Sequence, residues 1–276
     1  MARAMSEPTA RLLLDEVLDQ LAFAQEHVTG FEDGEDHSHF SAVLAPAASE
    51  AAIATGDETR WDLRLALTEP VRAALHELLR GPVGVALAGL AGGDAALVEL
   101  AAVVSAPGAA PQVLHPDAEW SASGLVFTAF VALQDVSASM GPTLFLPRTQ
   151  DKVSHLRFFN DATKDELLKE HSENRRVGLL NVGDVSCFDS RTLHAGTANR
   201  APGTRRAMFY LSFRNPRISD PGNPPSLRPC FTNGLTLADL RGSGAKKKAK
   251  VLAKDDPRPA GGGKKKKKRA GFASSR

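Results

Sequence analysis

From Ala95 onward the chain is a succession of short apolar runs, each closed by Gly, Pro or Asp: 96–105, 124–133, 143–146, 177–180, 185–188 and 206–213. Most of these runs are too short for stable helices, and their regular punctuation predicts antiparallel strands. Helical periodicity lies mainly on the N-terminal side. Strands in series with helices placed before them fit a sandwich or jelly roll carrying helical cover. With 276 residues, 42% of them apolar and 24% charged, the chain can build one sizeable core or two small ones. The same figures exclude a membrane bundle, a collagen-like repeat and a wholly disordered chain.

The helices are legible from spacing. In the stretch Arg11 to His27, residues Leu14, Val17, Leu18 and Leu21 fall three and four apart, which predicts an amphipathic helix. Glu69-Pro70 opens a second over 71–79, with proline in the first turn. The charged stretch 161–174 predicts an exposed helix inserted between strands. Between the first two, 30–56 has no periodicity and predicts a surface loop. Asn181-Val182-Gly183-Asp184 predicts a tight turn, because Gly183 can supply a positive φ.

Net charge divides the chain sharply. The segment 241–276 holds 14 Lys and Arg against two Asp, a net of +12, which leaves −10 over 1–240. Its lysine runs are broken by Gly and Pro and it carries almost no apolar residues, so it predicts a disordered tail. The expected organisation is a domain over 1–240, with its core at about 61–216, and a basic Lys-rich extension over 241–276. Lys264 to Arg269 fits a nuclear address or a phosphate-binding arm, although no aromatic residues are interleaved for base stacking. Cys187 and Cys230 cannot form a disulfide framework, and no Cys-x-x-Cys pair suggests zinc. No signal peptide or membrane helix is legible. The expected location is therefore cytoplasmic or nuclear, without secretion or membrane contact, and the expected state is a monomer.

Eight histidines offer several candidate ligands. Two residues can share one ion if their side chains leave the backbone on the same side, as i and i+2 do in extended chain. Chance alone gives about one His-x-Asp/Glu in such a composition, so context must decide. His171-Ser-Glu173 lies in the charged helix, where residues two apart diverge. His37-Ser-His39 lies in the aperiodic acidic loop and reads as surface. His115-Pro-Asp117 is different: Pro116 excludes helix interior and biases His115 towards extended geometry, so both side chains can face one ion. An iron site of this type needs a second imidazole. His194, after the run 185–189, is the best placed. Eleven residues on, Arg205 opens another apolar strand and offers a forked, permanently charged partner for a carboxylate.

The blocks HPDAEW, LQDVSASMGPTLFLPRTQ and GDVSCFDSRTLHAGTANRAPGTRRAMFYLSFR, in this order, resemble the phytanoyl-CoA dioxygenase family of iron(II)- and 2-oxoglutarate-dependent oxygenases. The resemblance runs over about 97–215, with a weaker extension back to Trp61-Asp62-Leu63. It implies a mainly β double-stranded β-helix, the cupin-like jelly roll, with flanking N-terminal helices. By the same resemblance His115, Asp117 and His194 would be the catalytic iron ligands, and Arg205 would hold the distal carboxylate of 2-oxoglutarate. Arg206 competes for that role; strand alternation lets one of the two face the pocket, and the eleven-residue spacing favours Arg205. Phe130 falls where the family often packs an aromatic beside the co-substrate, a position equally suited to strand core. Two departures stand out: Pro147-Arg148-Thr149-Gln150 replaces the family's Pro-Gly-Ser/Thr-His, and Met140 stands where Asn is frequent.

The implied activity is hydroxylation of a small organic substrate by Fe(II), 2-oxoglutarate and O2, with release of succinate and CO2 and with ascorbate as a supporting reductant. Two alternatives belong to other classes: a non-catalytic jelly-roll binding protein, and a nuclear or nucleic-acid-associated protein acting through its tail. Zinc is a third alternative at the same ligands. The intact set of His, Asp, His and Arg favours catalysis.

Overall fold

The computed structural model describes residues 1–27, 39–41, 60–118, 120, 126–217, 227–228 and 234–242. Among the described residues nine strands fall into two antiparallel sheets. The larger, in the order β1-β2-β3-β9-β4-β7, is built from β1 (Phe40–Ser41), β2 (Arg60–Arg64), β3 (Ala96–Ser105), β9 (Arg206–Arg214), β4 (Val126–Ala132) and β7 (Val185–Asp189). The smaller, in the order β6-β5-β8, comprises β6 (Arg176–Val177), β5 (Thr143–Phe145) and β8 (His194–Gly196).

Side-chain alternation along β9 divides the molecule into an inside and an outside. Ala207, Phe209, Leu211 and Phe213 belong to the main hydrophobic core. Arg206, Met208, Tyr210 and Ser212 project from the other face, because successive residues of a strand point to opposite sides. On the core side lie α1 (Glu7–His27), α2 (Glu69–Arg80), α3 (Pro82–Ala91) and the short α6 (Leu237–Arg241). Leu13, Val17 and Leu21 of α1, Leu75, Leu78 and Leu79 of α2, and Leu87 of α3 pack with Leu63, Leu100, Phe209 and Phe213 of the sheet. Each such large side chain taken from water contributes about 1.5–3 kcal/mol.

The opposite face meets the small sheet across an aromatic layer. Phe145 of β5 lies 5.0 Å from Phe188 of β7, ring centroid to ring centroid. This is the antiparallel jelly roll implied by the sequence, with helices over the outer face of its large sheet. The small sheet is covered by α4 (Lys152–Phe158) and α5 (Asp161–His171), through a cluster of Leu146, Phe158, Leu167 and Leu193.

Several details differ from expectation. The charged helix over 161–174 is present as α5, which ends at His171 in a single 3-10 turn over Ser172–Asn174, but a further helix that was not expected, α4, precedes it. The strand expected over 177–180 is only Arg176–Val177, after which Leu180 makes an isolated bridge to Val136. The helix α3 was not legible. The 181–184 turn is as expected, with φ +81° at Gly183. Most of the 30–56 stretch, His37 with it, lies outside the described residues, as do 243–276 and Cys230. His39, expected on the surface, is buried with its ring 6.2 Å from that of Phe23 in α1. Among the described residues no helix is long and apolar enough to cross a membrane.

Candidate metal centre

His115 and His194 are brought together by their backbones. His115 N–H donates to His194 O at 3.0 Å and His194 N–H to His115 O at 2.9 Å, the reciprocal exchange of an antiparallel pair. Their ring centroids are 4.7 Å apart. Two residues on, the backbone N–H groups of Asp117 and Ala118 both donate to Ser190 O. This ties the His-x-Asp segment to the end of β7 and turns Asp117 towards both imidazoles. Thr149 holds the other side: its hydroxyl donates to Leu146 O and accepts from Leu193 N–H, fixing the approach to His194.

The ring orientations suit a cation. His115 Nδ1 is 2.6 Å from Val113 O and His194 Nδ1 is 2.9 Å from Thr192 O. A carbonyl only accepts, so in both rings Nδ1 carries the proton and Nε2 keeps its lone pair. Both Nε2 atoms face Asp117, at 3.6 Å from His115 and 3.4 Å from His194. One ligand atom from each of the three residues lies within 4.8 Å of the others, and this is the one such cluster among the described residues that combines two imidazoles with a carboxylate. Burial disfavours charge on Asp117, but His194 and His115 outweigh it and hold its carboxyl below the usual range. Burial keeps His194 below its ordinary value and hence neutral near pH 7, the form that ligates a metal. Burial lowers His115 too, but its bond to Asp117 and the Asp117 charge outweigh burial and raise it above its ordinary value, so a cation would take the place of its Nε2 proton. Two imidazole nitrogens and a carboxylate on one side of an ion form the facial triad of non-haem iron oxygenases.

An aromatic collar closes around His194. Phe188, Phe145 and Phe130 lie at 4.9, 5.9 and 6.4 Å from it, centroid to centroid. Phe130 is thus on the interior face, stacked edge-on against Tyr210 at 5.5 Å.

At one end of the same face lie two guanidiniums, that of Arg206 buried and that of Arg60 partly so. The register Arg60↔Ser105↔Arg206 puts their side chains in one row. Arg206 donates to Gly141 O and to Ser105 Oγ, and its Nε has no partner. Arg60 donates through Nη2 to Ala110 O and Thr197 O, and its buried Nη1 has none. Burial, with the charge of Arg60 added, pushes Arg206 down to about 9, and burial pushes Arg60 down to about 10. No carboxylate among the described residues pairs with either.

Arg205, favoured by spacing for the inward role, is exposed, with its guanidinium 5.9 Å over the ring centroid of Trp61. The reason is one residue of register. Gln134 clamps the strand start by donating to Arg205 O and accepting from Ala207 N–H, and Arg206 opposes Ser105 in the ladder. Arg206 therefore faces in and Arg205 out. His171 and Glu173 sit at the end of α5, outside the cluster.

Arg60, Phe145, Phe188 and Glu99 were not singled out by sequence reading. The alternation of β2 and β9 would have offered Arg60 once the core side of Trp61 and Leu63 was known. Two cavities adjoin the centre. One, a void of about 10 Å³ with room for a single water, is lined by Val98, Glu99, Asp117, Ala118, Val126 and Ser190. The other, a seam between the sheets against Phe130, Phe145 and Met208, has no room for a water.

Fold and donor set together define a jelly-roll protein with a two-histidine, one-carboxylate centre. Residues 9–207 match the model of the family phytanoyl-CoA dioxygenase (PhyH), and the chain belongs to that family. Membership makes it an Fe(II)/2-oxoglutarate-dependent dioxygenase and sets iron(II) and 2-oxoglutarate as its cofactor and co-substrate. Among solved structures, the epimerase SnoN in complex with Fe3+, alpha ketoglutarate and nogalamycin RO is 18% identical over 81% of this chain and 88% of its own, with a TM-score of 0.51, and shares the fold. HygX from Streptomyces hygroscopicus, with nickel and 2-oxoglutarate bound, is 10% identical over 79% of this chain and 83% of its own, with a TM-score of 0.48. No curated protein matches.

Proposed function

We propose that the chain hydroxylates a small organic substrate, that His115, Asp117 and His194 hold the iron, and that Arg206 with Arg60 beside it holds the distal carboxylate of 2-oxoglutarate. The observation that carries this reading is the convergence of two Nε2 lone pairs on Asp117, each fixed by an Nδ1 bond to a backbone carbonyl. Iron(II) and 2-oxoglutarate supply the activation of O2, with one oxygen atom entering the substrate C–H bond and the other leaving in succinate as CO2 is lost.

The protein's part is positioning. The mutual backbone pairing of His115 and His194 holds the ligand set before any metal arrives, and Ser190 O fixes the turn of Asp117. A buried Arg206 and a partly buried Arg60, neither paired with a carboxylate among the described residues, fit an anionic ligand, whose charge offsets what their burial costs. Phe130, Phe145 and Phe188 keep water from the space beside His194. Arg205, over Trp61, is assigned no contact with co-substrate. Residues 1–240 are proposed as the catalytic unit, with the basic tail taking no part in turnover and serving instead as a nuclear address or phosphate contact.

The test is succinate release by the full chain with iron(II), ascorbate and 2-oxoglutarate in air. Release that Asp117→Ala and His194→Ala abolish supports the assignment, and indifference to both substitutions contradicts it. A chain ending at 240 should turn over as fast as the whole.

A further inference from the structure

The void of about 10 Å³ beside Asp117 has the size and the lining of a site for one water. Glu99, Asp117 and Ser190 give it polar sides, and Val98, Ala118 and Val126 close it with apolar ones. Glu99 reaches it through an irregularity of β3. The ladder with β9 shifts register between Leu97 and Glu99, so Leu97 belongs to the helix-side core while Glu99 opposes Ser212 on the interior face. Val98, the extra residue, packs on Val126. A bulge of this kind bends a strand and re-aims a side chain, and here it turns a carboxyl towards the void.

Three buried hydroxyls lead from Glu99 back to Asp117. Ser212 Oγ is hydrogen-bonded to the Glu99 carboxyl, Thr128 Oγ1 lies 2.8 Å from Ser212 Oγ, and Ser190 Oγ lies 2.9 Å from Thr128 Oγ1. Ser190 O in turn takes the backbone N–H groups of Asp117 and Ala118. The series begins at the carboxyl of Glu99 and ends at the backbone of Asp117. The gap that remains lies between the two carboxyls, where the void is. Burial, followed by the like charges of Asp117 and Asp62, pushes Glu99 up to about 8. A carboxyl in that state both gives and takes hydrogen bonds, so it needs no cation beside it.

We propose that a single water in the void joins Glu99 to Asp117, closing a ring through Ser212, Thr128 and Ser190, and that Glu99 is by this means a positioning residue for the iron ligand Asp117. A carboxylate that gives one oxygen to an ion keeps lone pairs on the other, and a partner held there fixes the angle at which the ligand meets the metal. The water closes the ring whether Glu99 is ionised or neutral, because water donates to an acceptor and accepts from a donor. The positioning role rests on the iron reading given above; the water rests on the void and its lining alone.

Two measurements test this. A high-resolution crystal structure of the full chain should show one water within hydrogen-bond distance of the Glu99 and Asp117 carboxyls. Carboxyls in direct contact, or no ordered water between them, overturn the inference. In anaerobic equilibrium titration, Glu99→Leu should weaken iron(II) binding by about ten-fold or more, whereas Glu99→Gln, which keeps the shape and the hydrogen bonds, should stay within about three-fold of wild type. Thr128→Val interrupts the ring and should shift affinity in the same direction as Glu99→Leu, so it carries the comparison where Glu99→Leu does not fold. At saturating cobalt(II) in place of iron, the visible absorption spectrum should change in Glu99→Leu and match the wild type in Glu99→Gln, a signature that a merely structural role would not move. Wild-type iron(II) affinity in Glu99→Leu overturns the inference. An equal loss in Glu99→Gln and Glu99→Leu does so too, because the effect would then belong to charge. A wild-type chain that binds no iron(II) contradicts the functional reading instead, and the crystallographic water is then judged by itself.

Discussion

The two faces of the large sheet are made from the same strands and obey opposite rules. Towards the helices, Leu63, Leu100, Ala129, Phe209 and Phe213 are buried apolar side chains, and burial there is stabilising. Towards the small sheet the same strands contribute Arg60, Glu99, Thr128, Tyr210, Arg206 and Ser212. Burying the Arg206 guanidinium, with Arg60 beside it partly buried and no carboxylate among the described residues paired with either, costs stability. One face holds the fold together and the other keeps groups poised for ligands, an exchange of stability for function that active sites commonly show.

That contrast can be broken at either face. The largest effect belongs to the helix side, where Phe209→Ala should lower unfolding free energy by about 3–5 kcal/mol, read by chemical denaturation, because Phe209 is fully buried and its loss leaves a cavity. On the interior side Arg206→Met should do the reverse of what burial alone suggests. Stability should hold or rise, since an unpaired buried charge goes, while 2-oxoglutarate affinity falls by about 2–3 kcal/mol in calorimetry. Arg205→Ala should leave that affinity within about two-fold. The opposite ranking of the two arginines would reverse the assignment made from their orientation.

Smaller effects sharpen the helix side. Glu77 of α2 accepts from Ser6 N–H, Ser6 Oγ and Thr9 Oγ1, and so clasps the start of α1. Burial pushes its carboxyl up, but these bonds outweigh burial and hold it below the ordinary 4.5. A depressed folded-state value gives stability that is present above the unfolded value and is lost as pH falls through the folded one. Glu77→Gln should therefore cost less than about 1 kcal/mol at pH 7, and the gap from wild type should close in acid, as thermal melts from pH 7 to 3 would show. An effect of similar size belongs to Arg148, which holds a left-handed backbone at φ +67° at the position where the resemblance noted above puts a glycine. Arg148→Gly should stabilise by about 1 kcal/mol, visible as a higher melting temperature.

Much of this was legible in the sequence, and the reasons for the rest are particular. Strands announced themselves because glycine, proline and aspartate end each apolar run. The helix α3 (PVGVALAGLA) is apolar on nearly every side and has no stripe to read; a Cβ on its Gly84 would strike Leu79 O. In α4 the pattern is inverted: Ser154 and His155 are buried while Val153 and Leu156 are exposed, so hydrophobicity misreports its inner face. The three metal ligands could be nominated from His115-Pro-Asp117 and His194 because extended geometry and chain order constrain them strongly. Arg205 and Arg206 could not be separated by spacing, since the turn before β9, organised by Asn199 and by Gly203 at φ +66°, sets the register by a single residue. Glu99 and Arg60 were invisible for a related reason. Alternation says that neighbours point apart, and only the packed helices say which side is the inside.

The central claim is that His115, Asp117 and His194 form one metal centre. It is tested most directly by anaerobic equilibrium titration of the full chain with iron(II), comparing wild type with Asp117→Ala and His194→Ala proteins that keep the wild-type circular dichroism spectrum. The account predicts one tightly bound ion per chain in the wild type and its loss in both variants. Stoichiometric iron retained by either variant would contradict it.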